Sequence, residues 1–160
     1  MSDPLHRYLE QHWMGAGGGL SLFRRVTDTH RGTDVGREMA ELTALVADAR
    51  EQLRGVMERL GVEPPKVLSF VASVGERVAR LKPNGNPFRR EYDTDLVEFD
   101  AMRTGVSGQV ALWEVLEEVA VHDDRLDAAE MGAMCARARD ILDRLSVLQR
   151  RLVAAGIGAS

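Results

Sequence analysis

Apolar and small residues recur along this chain in alternating steps of three and four. The first run passes through Leu9, His12, Ala16, Gly19, Phe23, Val26 and His30. That is the seam of a helix packed lengthwise on its neighbours. Asp3-Pro4 supplies a start, because Asp accepts from free N–H groups and Pro suits the first helical position. Thr29-His30-Arg31-Gly32 supplies an end, with Gly32 as a left-handed C-cap. The pattern predicts a first helix over about 4–31. Its centre is Gly15-Ala16-Gly17-Gly18-Gly19. A glycine run normally marks a loop, yet the helical spacing continues through it. Each interior Gly is about 0.8–1 kcal/mol less favourable than Ala. The segment is therefore expected either to permit close helix approach or to leave a small void, with a kink or bulge as the competing outcome.

Thr33-Asp34 caps a second helix whose seam is Val35, Met39, Leu42, Val46, Ala49, Leu53, Val56 and Leu60. Gly61 and Pro64-Pro65 end it. The short turn between the two makes an antiparallel hairpin. A long crossover, residues 61–92, follows. It carries an amphipathic stretch over 65–81, with Val67, Val71, Val74, Val78 and Leu81 on one face, and then the turn-rich Lys82-Pro83-Asn84-Gly85-Asn86-Pro87. The third long helix is expected to begin near Asp93–Asp95, with Asp95 and Glu98 spaced as a capping box. Its seam is Phe99, Met102, Val106, Gln109, Trp113, Leu116 and Ala120. After His122-Asp123-Asp124, Asp127 and Glu130 form a second capping box, and Leu126 can staple onto Met131. The fourth helix carries Met131, Cys135, Ala138, Leu142, Leu145 and Leu152, and is expected to end near Gly156 with a loose tail at 157–160.

A shift of 90 positions lays the first seam on the third. His12 meets Met102, Ala16 meets Val106, Gly19 meets Gln109, Phe23 meets Trp113, and Gly15 and Gly18 meet Gly105 and Gly108. A shift of 89 lays the second helix on the fourth, matching Ala49 with Ala138 and Leu53 with Leu142. The chain thus reads as two copies of one helical hairpin in a single four-helix-bundle domain over 1–160. Two hairpins joined by a long crossover resemble the ferritin-like four-helix bundles. The chain is also similar to small uncharacterised actinobacterial helical proteins, which carry over no activity. The ferritin-like resemblance implies a test. Its metal-binding members place a Glu on each of two helices and a Glu-x-x-His on each of the others. No Glu-x-x-His occurs here. The symmetric carboxylates Glu10 with Asp100, and Glu41 with Glu130, lie at different heights, and Ala44 and Ala133 stand where a ligand His would follow. No metal ligand, catalytic residue or cofactor is predicted.

Composition narrows the functional classes. Forty-four per cent hydrophobic and only 5% aromatic residues favour helix. A formal charge of -4 gives no electrostatic basis for nucleic-acid binding. No apolar run is long enough for a membrane span, and the first residues lack the order of a secretory signal, so a cytoplasmic location is expected. The lone Cys135 gives no disulfide framework or CxxC pair, and its seam position reads as a buried, inert thiol. Arg77, Arg80, Lys82, Arg89 and Arg90 form the local basic excess, read as a solvated face of the crossover or as a contact for an anion. Glu118 and His122 are spaced to share a metal, though a His at a helix C-terminus equally suits the dipole. His6 and His30 have no placeable partner, no Ser-His-Asp arrangement exists, and the glycine run lacks the strand and Gly-Lys-Ser/Thr of a phosphate loop.

Two functional expectations result. The first is a non-catalytic bundle acting by association, as a homodimer or with a protein partner. The alternative is a ferritin-like protein holding a metal, haem or small apolar ligand beside the glycines. Its candidate ligand-binding residues are His12, Trp13, Gly15, Gly19, Met102 and Trp113. His12 has the plainer reading of a half-buried, hydrogen-bonded histidine.

Overall fold

Asp3 accepts from the Leu5 N–H at 3.0 Å and Pro4 fills the first helical position, which starts α1 at Pro4–Thr29. In the computed structural model, which describes residues 3–65 and 87–158 (87–93 by backbone alone), the described residues form four α-helices and no strand. α2 spans Asp34–Leu60, α3 spans Pro87–His122 and α4 spans Ala128–Gly158. α1 runs unbroken through its glycines. Buried residues on either side of them, Leu9 and Trp13 before and Leu20, Leu22 and Phe23 after, anchor both ends of this stretch in the core.

The caps follow the sequence in most places. The Thr33 hydroxyl accepts from the Gly36 N–H, and the Asp127 carboxylate accepts from the Glu130 N–H at 2.7 Å. Leu126 and Met131 are both buried in one cluster, as a staple requires. Gly61 takes the left-handed conformation at φ 74°, and the Val62 N–H reaches back to the Met57 carbonyl, so α2 ends in a Schellman turn with Val62 buried beneath it.

Three helix boundaries differ from the sequence pattern. α1 ends at Thr29 with His30 as its cap, and Gly32 (φ 83°) makes the turn instead of capping the helix. α3 begins at Pro87, well before Asp95. Proline is at home in a first turn, and nothing from Phe88 to Asp93 breaks a helix. The crossover is shortened accordingly, and Arg89 and Arg90 fall within α3. The Asp95–Glu98 capping box is therefore wrong. Both side chains lie inside α3 and reach across to α1, Asp95 to His30 Nε2 at 3.2 Å and Glu98 to Arg25 at 2.7 Å. Glu98 is buried, and Arg25 supplies its countercharge. Finally, α4 continues to Gly158. A glycine weakens a helix without forbidding it, and no proline follows Gly156. The expected helix over 65–81, its valine stripe, the loop after it and Arg77, Arg80 and Lys82 lie outside the described residues.

α1 packs on α2 and α3, and α4 packs on α3 and α2. Cross-helix pairs tie them. Between α2 and α4 these are Glu38–Arg151, Glu41–Arg144, Asp48–Arg137 and Arg59–Glu130. Between α3 and α4 they are Asp100–Gln149 and Glu114–Arg139. Thr27 and Thr43 share a hydrogen bond between α1 and α2. Such half-exposed ion pairs contribute only about 0–1 kcal/mol each. Burial of the seam residues dominates, at roughly 1.5–3 kcal/mol for each fully buried large side chain.

The buried residues form two clusters, each drawing on all four helices. One lies toward the α3–α4 turn and contains Leu9, Trp13, Leu53, Met57, Trp113, Leu116, Met131 and Cys135. The other lies toward the α1–α2 turn and contains Phe23, Val26, Met39, Leu42, Phe99, Met102, Ile141 and Leu145. On α2 and α4 the buried apolar positions pass from one cluster to the other without a gap, through Val46 to Ala49 and Ala138 to Ile141. On α1 they jump from Trp13 to Leu20, and on α3 from Val106 to Leu112. The core is thus interrupted on one side only.

Two glycines of α2 separate steric need from mere presence. A Cβ at Gly36 would stand 2.0 Å from the His30 carbonyl oxygen, whereas a Cβ at Gly55 would meet nothing within 4 Å. Gly36→Ala is expected to destabilise by about 1–3 kcal/mol through strain. Gly55→Ala should stabilise by up to about 1 kcal/mol through helix propensity. Thermal melts of the two variants will show opposite signs.

Candidate functional site

The interruption in the core is a groove of about 290 Å³ between α1 and α3. Gly15 and Gly19 of α1 line it, facing Gly105 and Gly108 of α3. Phe23, Val46, Met102 and Val106 are buried residues at its floor. Gln11, Gly15, Ala101, Thr104 and Gly105 are exposed at its mouth. Ala16, His12 and Gln109 complete the wall. The lining is mainly apolar with a few polar groups, and its volume lies at the small end of the range for ligand pockets.

The glycines permit no close helix contact here. A Cβ added at Gly15, Gly19, Gly105 or Gly108 meets nothing within 4 Å. Of the two outcomes expected for the glycine segment, close approach is not what these four provide. The space beside them is open.

The candidate residues divide between this groove and a smaller void behind it. His12, Gly15, Gly19 and Met102 line the groove, and Trp13 and Trp113 do not. Both indoles are too large for the glycine level and are buried in the adjoining core cluster. Trp113 lines a void of about 10 Å³ together with His12, Ala16, Arg50 and Gln109, and His12, Ala16 and Gln109 are common to both spaces. His12 is half-buried, with its ring edge-on to Tyr8 at 4.4 Å between centroids. Burial pushes its pKa below the ordinary histidine value, so the imidazole is neutral near pH 7.

Arg50 of α2 is the residue that sequence reasoning missed. Its guanidinium stacks over the Trp13 ring, 3.7 Å from the centroid. Burial lowers its pKa; Glu51 acts in the opposite direction, and the like charge of Arg24 adds to the lowering. Arg50 Nε, Gln109 Oε1 and Trp113 Nε1 are all buried without a hydrogen-bond partner among the described residues. An unpaired buried polar atom costs about 1–3 kcal/mol, and the three residues that carry these atoms line one small void. Gln109 carried a signal in the sequence, as the one amide on an otherwise apolar seam. Arg50 carried none, because its role depends on a tryptophan of another helix.

The remaining candidates resolve simply. Among the described residues no three His, Cys, Asp or Glu come together as metal ligands. Glu41 and Glu130 are engaged by Arg144 and Arg59 at separate heights, and Asp100 accepts from Gln149. Glu118 and His122 approach to 3.6 Å on an exposed surface. His30 has a partner after all, in Asp95. Cys135 is buried. No described helix is long and apolar enough to cross a membrane. Comparison with protein-family models, curated proteins and solved structures finds no match to this chain.

Because the glycines meet open space, Gly15→Ala and Gly105→Ala should each raise stability, by about 0.5–1 kcal/mol. Denaturant titration checks this. A loss of stability in either variant would mean that the two helices close on each other at this level.

Proposed function

We propose that this chain is a non-catalytic binding protein and that its glycine-walled groove takes a small, mainly apolar ligand. The observation that carries this reading is the groove itself. Four helix-interior glycines, each unfavourable by about 0.8–1 kcal/mol relative to Ala, keep about 290 Å³ open in what would otherwise be continuous core. The groove is large enough for a small organic molecule.

The architecture we propose around it is an antiparallel, ferritin-like bundle of two duplicated hairpins. The cross-helix pairs support this arrangement. Residue numbers rise on α2 from Glu38 to Arg59 as their partners on α4 fall from Arg151 to Glu130. The repeat has its own support. His12 and Met102, Gly15 and Gly105, Ala16 and Val106, and Gly19 and Gln109 are matched by the 90-residue shift, and all eight line the groove. Asp48 and Arg137 pair with each other and are themselves matched by the 89-residue shift. A two-fold axis through the groove and this ion pair would produce both patterns. In ferritin-like metal proteins the bundle centre holds ligating carboxylates and histidines. Here that level is glycine and alanine, and the reading is a bundle using the space for an apolar guest.

Calorimetric titration with 1-octanol tests the reading. One saturable site per chain is expected, lost in Gly105→Leu, whose side chain fills the groove while improving helix propensity. No saturable binding, or binding that survives Gly105→Leu, would sink it. Light scattering of the same two proteins tests the association reading: a dimer that Gly105→Leu dissociates would assign the groove to a second copy. A stoichiometric metal or a haem absorption band in the freshly purified protein would assign it to a cofactor instead.

A further inference from the structure

The groove has an apolar body and a polar end, and the polar end is unbalanced in charge. A second void of about 10 Å³, which shares His12, Ala16 and Gln109 with the groove, has room for one oxygen of a head group. Two N–H donors on its lining lack partners among the described residues. One is Trp113 Nε1, on a side chain only 1% exposed, and the other is Arg50 Nε, which belongs to a cation. Arg50 makes no ion pair with any described residue, and its stacking on Trp13 holds the guanidinium in place. His12 and Gln109 line both the void and the groove.

We infer that the ligand is a small amphiphilic carboxylic acid, bound with its apolar chain in the glycine groove and its carboxylate toward Arg50 and Trp113. This rests on the groove reading above. A carboxylate is acceptor-only and suits two unpartnered N–H donors carried by residues of one lining. It also supplies the countercharge that Arg50 lacks, in charge-assisted bonds stronger than those to a neutral group. A hydroxyl or water oxygen, with two lone pairs, can accept both of these bonds but leaves the cation uncompensated. The Gln109 amide, turned by half a revolution, adds an N–H donor in place of its oxygen. The His12 imidazole offers another N–H.

The test compares octanoate with 1-octanol by calorimetry on the full chain near neutral pH. Octanoate should bind at least tenfold more tightly than octanol. Arg50→Gln should bring that ratio toward one, and Trp113→Phe, which keeps the ring and removes the N–H, should lower it several-fold. Arg54→Gln, one turn along α2 and paired outward with Glu51 and Glu58, serves as the control and should leave the ratio unchanged. Circular dichroism melts confirm that each variant is folded. Equal affinities for octanoate and octanol would overturn the acid while leaving the groove reading intact. Octanoate preference that persists in Arg50→Gln would also overturn it. Absence of binding by both probes would remove the groove reading and this one together.

Discussion

The spacing of α1 and α3 is set by the large side chains above and below their glycines. Trp13 and Trp113 fill the core on one side of that level; Phe23, Phe99 and Met102 fill it on the other. Packed cores are close to incompressible, so these residues fix how near the two helices can come. With the separation fixed at both ends, four positions without a Cβ cannot close the middle. The groove follows from that constraint. So does the one-sidedness of the break, because α2 and α4 carry ordinary seam residues through the same height.

This explains what the sequence could reveal. Periodicity and capping signals marked the four helices, most of their caps and many of the core residues, since both are local. The seams left out Leu20, Leu22, Met57, Leu112, Met134, Ile141 and Leu148, which are also buried. The start of α3 was not legible. Asp95 and Glu98 have capping spacing, and only the neighbouring helix, with His30 and Arg25 opposite them, shows that both are used sideways. The glycine level was recognisable as special, but not in sign. Whether glycines draw helices together or leave space between them depends on flanking residues that meet only in three dimensions. His12, Gly15, Gly19 and Met102 line the groove because they lie along the helix faces that carry the glycines. Trp13 and Trp113 are buried in the core cluster beside it, and Trp113 also lines the smaller void.

Arg50 shows the limit most clearly. In the sequence it follows Ala49 on α2 and looks like any solvent-facing arginine. Its neighbours in space are Trp13 of α1 and the void that Trp113 of α3 lines. Elsewhere on α2 and α4, Arg59, Arg137, Arg144 and Arg151 reach acidic residues of the facing helix. Arg50 turns instead onto an aromatic face, with its Nε buried. Residue type alone does not distinguish these two uses of the same guanidinium.

Two different kinds of expense coincide at this level of the bundle. Four interior glycines forgo roughly 3–4 kcal/mol of helix propensity relative to alanine. Three buried polar atoms beside them lack partners, each at about 1–3 kcal/mol. Against a typical net stability of about 5–15 kcal/mol, neither is negligible, and each glycine or polar side chain could be replaced conservatively. Local choices that oppose the fold tend to gather where a protein does something besides fold. An apolar guest would explain the glycines but not the polar atoms. A bound water would explain the polar atoms but not the glycines. A molecule with an apolar chain and an acidic head accounts for both.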